Sequence, residues 1–301
     1  MSNTGILIQK AVENGTAVPA FNIPYLPMME PVVRALRDTR TIGLIMVANL
    51  ELHKFEARSL SAVRDEYEKV KDEKYTRLHL DHVPVIDEDE KRVDYEKVLT
   101  EAVDLGFQSV MIDGSRLPFK ENVSCTKKIV EMAHAKGVPV EAELGAVMGH
   151  EEGPLPPYEE LFASGKGFTD PDEAARFVSE TDVDWLSVAV GSVHGAISRA
   201  EKDKKKVEAR LDIKHLARIR EAVGIPLVLH GGTGIRKKYI MDAFNNGIAK
   251  INVATAIRQP YERAAAESVG AGQEAVYSAM LKILNDDLEV SGSARILMRT
   301  D

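Results

Sequence analysis

The sequence predicts an α/β protein closed as a (β/α)8 TIM barrel, and three observations carry that expectation. Short apolar, β-branched runs alternate with longer stretches of helical period. Eight such runs fall within about 250 residues, the usual span of a closed barrel. Each run is nearly continuously apolar rather than alternating, as strands of a parallel sheet covered on both sides must be.

In chain order the runs are "AVPAFNI" (17–23), "GLIMVA" (43–48), "RLHLDH" (77–82) and "QSVMID" (108–113). They continue as "VPVEAEL" (138–144), "DWLSVAV" (184–190), "PLVLH" (226–230) and "AKINVA" (249–254). Between them lie amphipathic stretches. In "KENVSCTKKIVEMAHAKG", Val123, Ile129, Val130 and Ala133 recur at helical spacing, and Gly137 supplies the stop. Two connections are longer and are read as active-site loops. Residues 145–169 are rich in Gly and Pro, and residues 192–207 are more polar. Residues 272–288 read as one additional C-terminal helix, suited to subunit packing, and the whole chain 1–301 is expected to be a single domain.

Composition narrows the function. The chain has 301 residues, 44% hydrophobic and 29% charged, enough for a large core. Its formal net charge of −8, and a lysine run at 202–206 interrupted by Asp203, argue against nucleic acid. The single cysteine, Cys125, rules out an internal disulfide framework and suits a reducing compartment. No apolar stretch reaches the roughly 20 residues that span a bilayer. The expectation is a cytoplasmic protein with no membrane partner.

Three of the eight histidines, His82, His194 and His230, fall at or just beyond the C-terminal ends of predicted strands. Three imidazoles on a barrel rim make a trigonal set for Zn²⁺ with an open position for substrate. Taken one at a time, each is equally an ordinary polar or packing residue. Asp81 is either a general base beside the metal or a cap for exposed loop amides. Strand alternation points Asp81 and His82 to opposite faces unless the strand twists there. His79, two residues back, reads as structural. Glu143 and Asp113 end their strands as carboxylates that orient a ligand, or simply as capping or salt-bridge residues. The turn Gly231, Gly232, Thr233, Gly234 and the adjacent Asn252 and Thr255 close the seventh and eighth units, where such barrels often bind phosphate through backbone amides and a helix N-terminus.

These stretches together resemble the class II, zinc-dependent ketose-bisphosphate aldolases, the group that acts on fructose and tagatose bisphosphates. The residues carrying the resemblance are "VPAFNI", "LHLDH", "SVMIDGSRLPFKENV", "VPVEAELG", "GFTDPDEAARFV", "VDWLSVAVGSVHG", "PLVLHGGTGI" and "AKINVAT", spread over 17–255 in the family's order. The resemblance implies zinc held by His82, His194 and His230, with Glu143 adjacent. It implies Asp81 as the acid/base at the C4 hydroxyl and Glu151 as the residue that moves the C3 proton. Gly231, Gly232, Thr233, Asn252 and Thr255 would hold the C1 phosphate, and Gly195 would serve that site or a monovalent cation, Na⁺ or K⁺. The implied role is in carbohydrate metabolism such as glycolysis, by a homodimer or homotetramer.

Departures from the family pattern concentrate at the other end of the substrate. Tyr25 and Pro27 follow the first "FN", Ala48 and Asn49 end the second strand in place of a Ser or Thr, and Ala256 stands where an acid is common. Asn22, Tyr25, Asn49 and Arg258 are therefore the specificity candidates. Competing readings are a zinc hydrolase on the same rim, a non-catalytic sugar-phosphate-binding barrel, and a Schiff-base aldolase. The last would need Lys250, which is expected at the start of its strand and away from the chemical face.

Overall fold

A computed structural model describes residues 3–145, 158–192 and 209–299. Eight parallel strands close into a barrel in chain order: β1 Val18–Asn22, β2 Gly43–Ala48, β3 Thr76–Pro84, β4 Ser109–Asp113, β5 Val140–Leu144, β6 Trp185–Val188, β7 Leu227–Leu229 and β8 Ile248–Val253. Closure comes from β1 pairing with β8, which sets Ala20 opposite Asn252. All eight expected runs are strands. The sixth is shorter than 184–190, and His230 lies one residue past β7, in the turn where its ring can leave the barrel wall.

The helices of the first half are α1 Thr4–Glu13, α2 Met29–Asp38, α3 Asn49–Lys54, α4 Leu60–Val70, α5 Tyr95–Asp104 and α6 Phe119–His134. In α6, Val123, Ile129, Val130 and Ala133 are the buried face, and Gly137 ends the turn at φ 70°. The second half has α7 Tyr158–Ser164, α8 Pro171–Thr181, α9 Ile213–Val223, α10 Lys237–Phe244, α11 Thr255–Ala265, α12 Val269–Lys282 and α13 Ala294–Leu297. Helix α8 starts where "TDPDE" says it should. Asp170 accepts hydrogen bonds from the Asp172 and Glu173 amides with Pro171 at the first position, a cap worth about 1 kcal/mol.

Two expectations are corrected. The stretch 145–169 is not one loop, because its second half forms α7; residues 146–157 lie outside the described residues, as do 193–208. The C-terminal helix begins earlier than 272, continues as a π turn over Ile283–Asp287, and packs on α11 and α2 of its own barrel.

One irregularity positions the chemistry. Between β3 and β4, Leu80 pairs with Val110 and Val83 with Ile112, so β3 carries one residue more than its neighbour over this step. That is a β-bulge, which locally bends and twists the strand. It falls on Asp81 and His82, and it removes the conflict that strict alternation creates for them.

Candidate active site

The barrel interior is polar where most such barrels carry aliphatic layers. His79, Glu141, Ser109 and Lys250 are fully buried, and above them stand Asp81, Glu143, Ser187 and Asn252, all at 7% exposure or less. Residues two apart on a strand share a face, so His79 with Asp81, Glu141 with Glu143, and Lys250 with Asn252 form two tiers of one site.

In the upper tier, Asp81 is gripped on both oxygens. Asn22 Nδ2 donates to Oδ2 at 3.0 Å and Asn252 Nδ2 donates to Oδ1 at 3.0 Å. Burial opposes its ionisation, but His82, Lys250 and His230 more than offset this and hold the carboxyl well below the usual range. His82 places Nδ1 3.0 Å from Asp113 Oδ2, while Asp113 Oδ1 accepts from the backbone and hydroxyl of Ser115 at 3.0 and 2.6 Å. Asp113 therefore fixes the ring of His82, one of the two roles its position suggested. Glu143 Oε2 accepts from Ser187 Oγ at 3.2 Å and sits 3.3 Å from His230 Nδ1. The His82 and His230 rings meet edge to face at 4.4 Å.

In the lower tier, Glu141 is the hub. Its Oε1 lies 2.8 Å from His230 Nε2, and its Oε2 lies 2.8 Å from Lys250 Nζ and accepts from Trp185 Nε1 at 2.7 Å. His79 Nε2 is 3.7 Å away, and burial together with Lys250 lowers the His79 pKa to about 3, so this ring is neutral. Its Nδ1 pairs with Ser109 Oγ at 2.8 Å. Lys250 is thus not remote from the chemical face. It lies within β8, points into the barrel, and brings Nζ to 3.8 Å from Asp81 Oδ1.

The donor set fits a divalent cation. Ligand atoms of Asp81, His82 and His230 lie within 4.8 Å of one another, as do those of His82, Asp113 and Glu143. The local field selects positive charge. Burial works against the charged form of His82, yet Asp81, Asp113 and Glu143 push its pKa up to about 10; His230 is shifted upward too, its carboxylate partners outweighing burial. Two imidazoles among carboxylates are a standard zinc environment. His194 and Gly195, and the loop residue Glu151, lie outside the described residues.

The phosphate candidates come together at the β7 and β8 ends. Gly231 adopts φ 68°, and Gly232 passes so close to β8 that an added Cβ would meet Ile251 at 2.7 Å and the Asn252 carbonyl at 2.9 Å. Beside the turn lies a cavity of about 230 Å³ whose lining joins Gly232, Thr233 and Ala256 to Lys237 of α10 and to Ile283 and Asp287 beyond α12. The Asn252 side chain is directed to Asp81.

The specificity candidates surround a second cluster. Glu51 is buried beside Asn22, with Oε2 accepting from the Ala48 amide at 2.9 Å and 3.4 Å from Asn22 Nδ2. Burial is the main force raising its pKa to about 8, with Asp81 adding to it. Asn49 is buried with its side-chain oxygen unbonded among the described residues. Arg258 holds both oxygens of Glu262 at 2.8 Å, and the Tyr25 hydroxyl donates to the same carboxylate at 2.8 Å.

The chain matches the family "Fructose-bisphosphate aldolase class-II" over residues 2–295. It belongs to that family. A fructose-bisphosphate aldolase of Staphylococcus aureus is 37% identical over 283 residues, which are 93% of this chain and 85% of that one. The crystal structure of the YdjI aldolase from Escherichia coli K12 superposes with a TM-score of 0.74 at 27% identity, covering 97% of this chain and 99% of that one. A fructose-bisphosphate aldolase of Campylobacter jejuni shares the fold, with a TM-score of 0.71 at 20% identity over 95% of this chain and 93% of that one. As a class II aldolase the protein is a lyase acting on a small-molecule sugar phosphate, and the family's metal dependence agrees with the donor set just described. No described helix is long and apolar enough to cross a membrane.

Glu141 and Lys250 are residues of this site whose place sequence reasoning missed, the second having been expected away from the chemical face, and Glu51 was assigned no role. The signal for the first two was charge at alternate positions of otherwise apolar strands.

Proposed function

We propose that this aldolase uses zinc to cleave a ketose 1-phosphate reversibly into dihydroxyacetone phosphate and an aldehyde. The observation that carries this reading is the convergence of His82, His230 and Glu143 beside an ionised Asp81 that is clamped between two asparagines. His82 and His230, joined by His194, would hold the metal, with Glu143 adjacent. When bound, it would supply Lewis acidity toward negative charge that develops on the substrate oxygens.

The remaining work belongs to side chains of this chain. Asp81 takes the C4 hydroxyl proton; Asn22 and Asn252 keep its two oxygens aimed. Glu151 returns a proton to C3. The Gly231–Gly234 turn and Thr255 hold the C1 phosphate through backbone and hydroxyl donors. Lys250 does not form a Schiff base, because its amino group is engaged by Glu141 beneath the reacting carbons. Assembly as a homodimer or homotetramer, a cytoplasmic setting and a Na⁺ or K⁺ ion near Gly195 belong to the same proposal.

The far end of the substrate differs from a bisphosphate. Arg258 is neutralised by Glu262, and the neighbouring strand end offers Ala48, the Asn49 amide and an uncharged Glu51 near neutral pH. These groups suit hydroxyls better than a second phosphate. The test is a panel of ketose 1-phosphates and fructose 1,6-bisphosphate compared by kcat/KM with zinc saturating. Failure of every ketose phosphate to release dihydroxyacetone phosphate would overturn the aldolase reading. A value for fructose 1,6-bisphosphate that is highest and near the 10⁴–10⁸ M⁻¹s⁻¹ typical of evolved substrates, roughly, would overturn the far-end assignment alone.

A further inference from the structure

The opposite face of the barrel carries a second concavity. Thr16, Arg40 and Lys74 lie two or three residues before the starts of β1, β2 and β3 at Val18, Gly43 and Thr76, so they belong to the rim at the N-terminal ends of the strands. The C-terminal segment folds back over this rim. The Gly292 amide donates to the Thr39 carbonyl at 2.9 Å, the Ala294 amide donates to the Arg40 carbonyl at 3.2 Å, and Lys10 Nζ donates to the Arg299 carbonyl. Between segment and rim lies a cavity of about 780 Å³. Small-molecule sites typically occupy roughly 300–1,000 Å³.

Its lining is strongly one-signed. Arg40, Lys74, Arg295 and Arg299 all border it, and none of the four makes an ion pair among the described residues. Among the described residues Glu289 is the one carboxylate in the lining, and it is paired with Lys237 at 2.6 Å. In a chain of net charge −8, four cations without an ion pair among the described residues, gathered around one concavity, favour anions there. A second observation points the same way. Ser293 lines the cavity at only 5% exposure, and its buried Oγ has no hydrogen-bond partner among the described residues, although a buried hydroxyl ordinarily finds one. An anion seated among the cations would supply it.

We propose that this cavity binds a phosphorylated small molecule carrying at least two anionic groups, at a site separate from the one that performs the reaction. Three of the four cations are arginines, whose planar fork matches phosphate oxygens in pairs, and the Ser293 hydroxyl donates to a further oxygen. The proposal is independent of the aldolase reading, because none of these residues lies on the catalytic face.

The experiment is calorimetric titration of the metal-loaded enzyme with glucose 1,6-bisphosphate, an aldose that retro-aldol chemistry does not cleave, at fixed ionic strength. Arg295→Gln/Arg299→Gln is expected to weaken binding at this site at least about 10-fold. Ser293→Ala is expected to weaken it about 3- to 10-fold with all charges retained. Thermal melts check that each variant is folded, and Thr233→Ala/Thr255→Ala, altered on the opposite face, should leave this site's affinity unchanged. Absence of binding overturns the proposal. So does binding that is lost in the Thr233/Thr255 variant and kept in the arginine variant, which places the ligand in the reaction site. Indifference to Ser293→Ala overturns it as well, because diffuse surface charge alone would then account for the affinity.

Discussion

His230 Nε2 lies 2.8 Å from Glu141 Oε1, with both side chains fully buried, so the imidazole is locked by a carboxylate on one nitrogen while the other faces Glu143 and the substrate side. Such a partner sets the tautomer and the aim of a metal-binding histidine.

Glu141→Gln should therefore weaken zinc affinity by about 10- to 100-fold, read by competition with a chromophoric chelator. It should also destabilise the fold by roughly 3–5 kcal/mol, because Lys250 would lose its 2.8 Å carboxylate partner and keep only Asp81 at 3.8 Å. The double variant Glu141→Gln/Lys250→Met separates the two effects: stability returns and metal affinity does not. Unchanged affinity in the single variant would mean that Glu141 serves the fold only.

Chelation should abolish cleavage and zinc should restore it, while borohydride added with substrate should leave activity intact. Lys250 makes this a pointed test, since its Nζ lies 3.8 Å from Asp81. Irreversible loss of activity with label on Lys250 would assign the reaction to a Schiff base. His230→Ala should lose metal content and activity together.

Glu51 carries a pH signature. Burial raises its carboxyl to about 8 from an ordinary 4.5, so the folded state binds a proton that the unfolded state has released between those values. The stability attached to that proton is complete below pH 4.5 and is lost as pH rises through 8. Its size is on the order of a few kcal/mol. Urea melts of wild type and Glu51→Gln at pH 5 and pH 8.5 measure it. The variant should lack this decline, and parallel behaviour of the two proteins would refute the assignment.

For Glu151→Gln the expectation is normal metal content with proton exchange at C3 of dihydroxyacetone phosphate slowed by roughly 10²–10⁴-fold, followed by deuterium wash-in. Exchange at the wild-type rate would transfer the role to another loop residue such as Glu152.

Most of the barrel was legible because parallel strands buried on both faces leave a simple trace, a short apolar run, and all eight runs became strands. Asp81, His82 and His230 were legible because charge or imidazole at the end of such a run has few other reasons to be there. Glu141 was missed and Lys250 misplaced for the converse reason. Each interrupts an apolar strand from within, and a single charge there looks like a strand boundary until its neighbour two residues on, Glu143 or Asn252, shows that both face the same interior. Asp81 and His82 posed a contradiction that no local pattern resolves, since a bulge in β3 is defined by what β4 lacks. The pairing of Arg258 with Glu262 was equally hidden, although four residues apart on a helix is a spacing that permits it.

The extra residue in β3 also bears on how this protein can fail. Removing one residue between Leu80 and Val83 would give β3 and β4 matching lengths over this step, so the hydrogen-bonded wall would become more regular and the barrel would still close. The residue removed would itself be Asp81 or His82, so the interior would lose one of the two groups that the bulge accommodates. A shortened chain of this kind would fold, melt cooperatively and be chemically silent, so an assay of folding alone would pass a protein whose reaction had been deleted with a single codon.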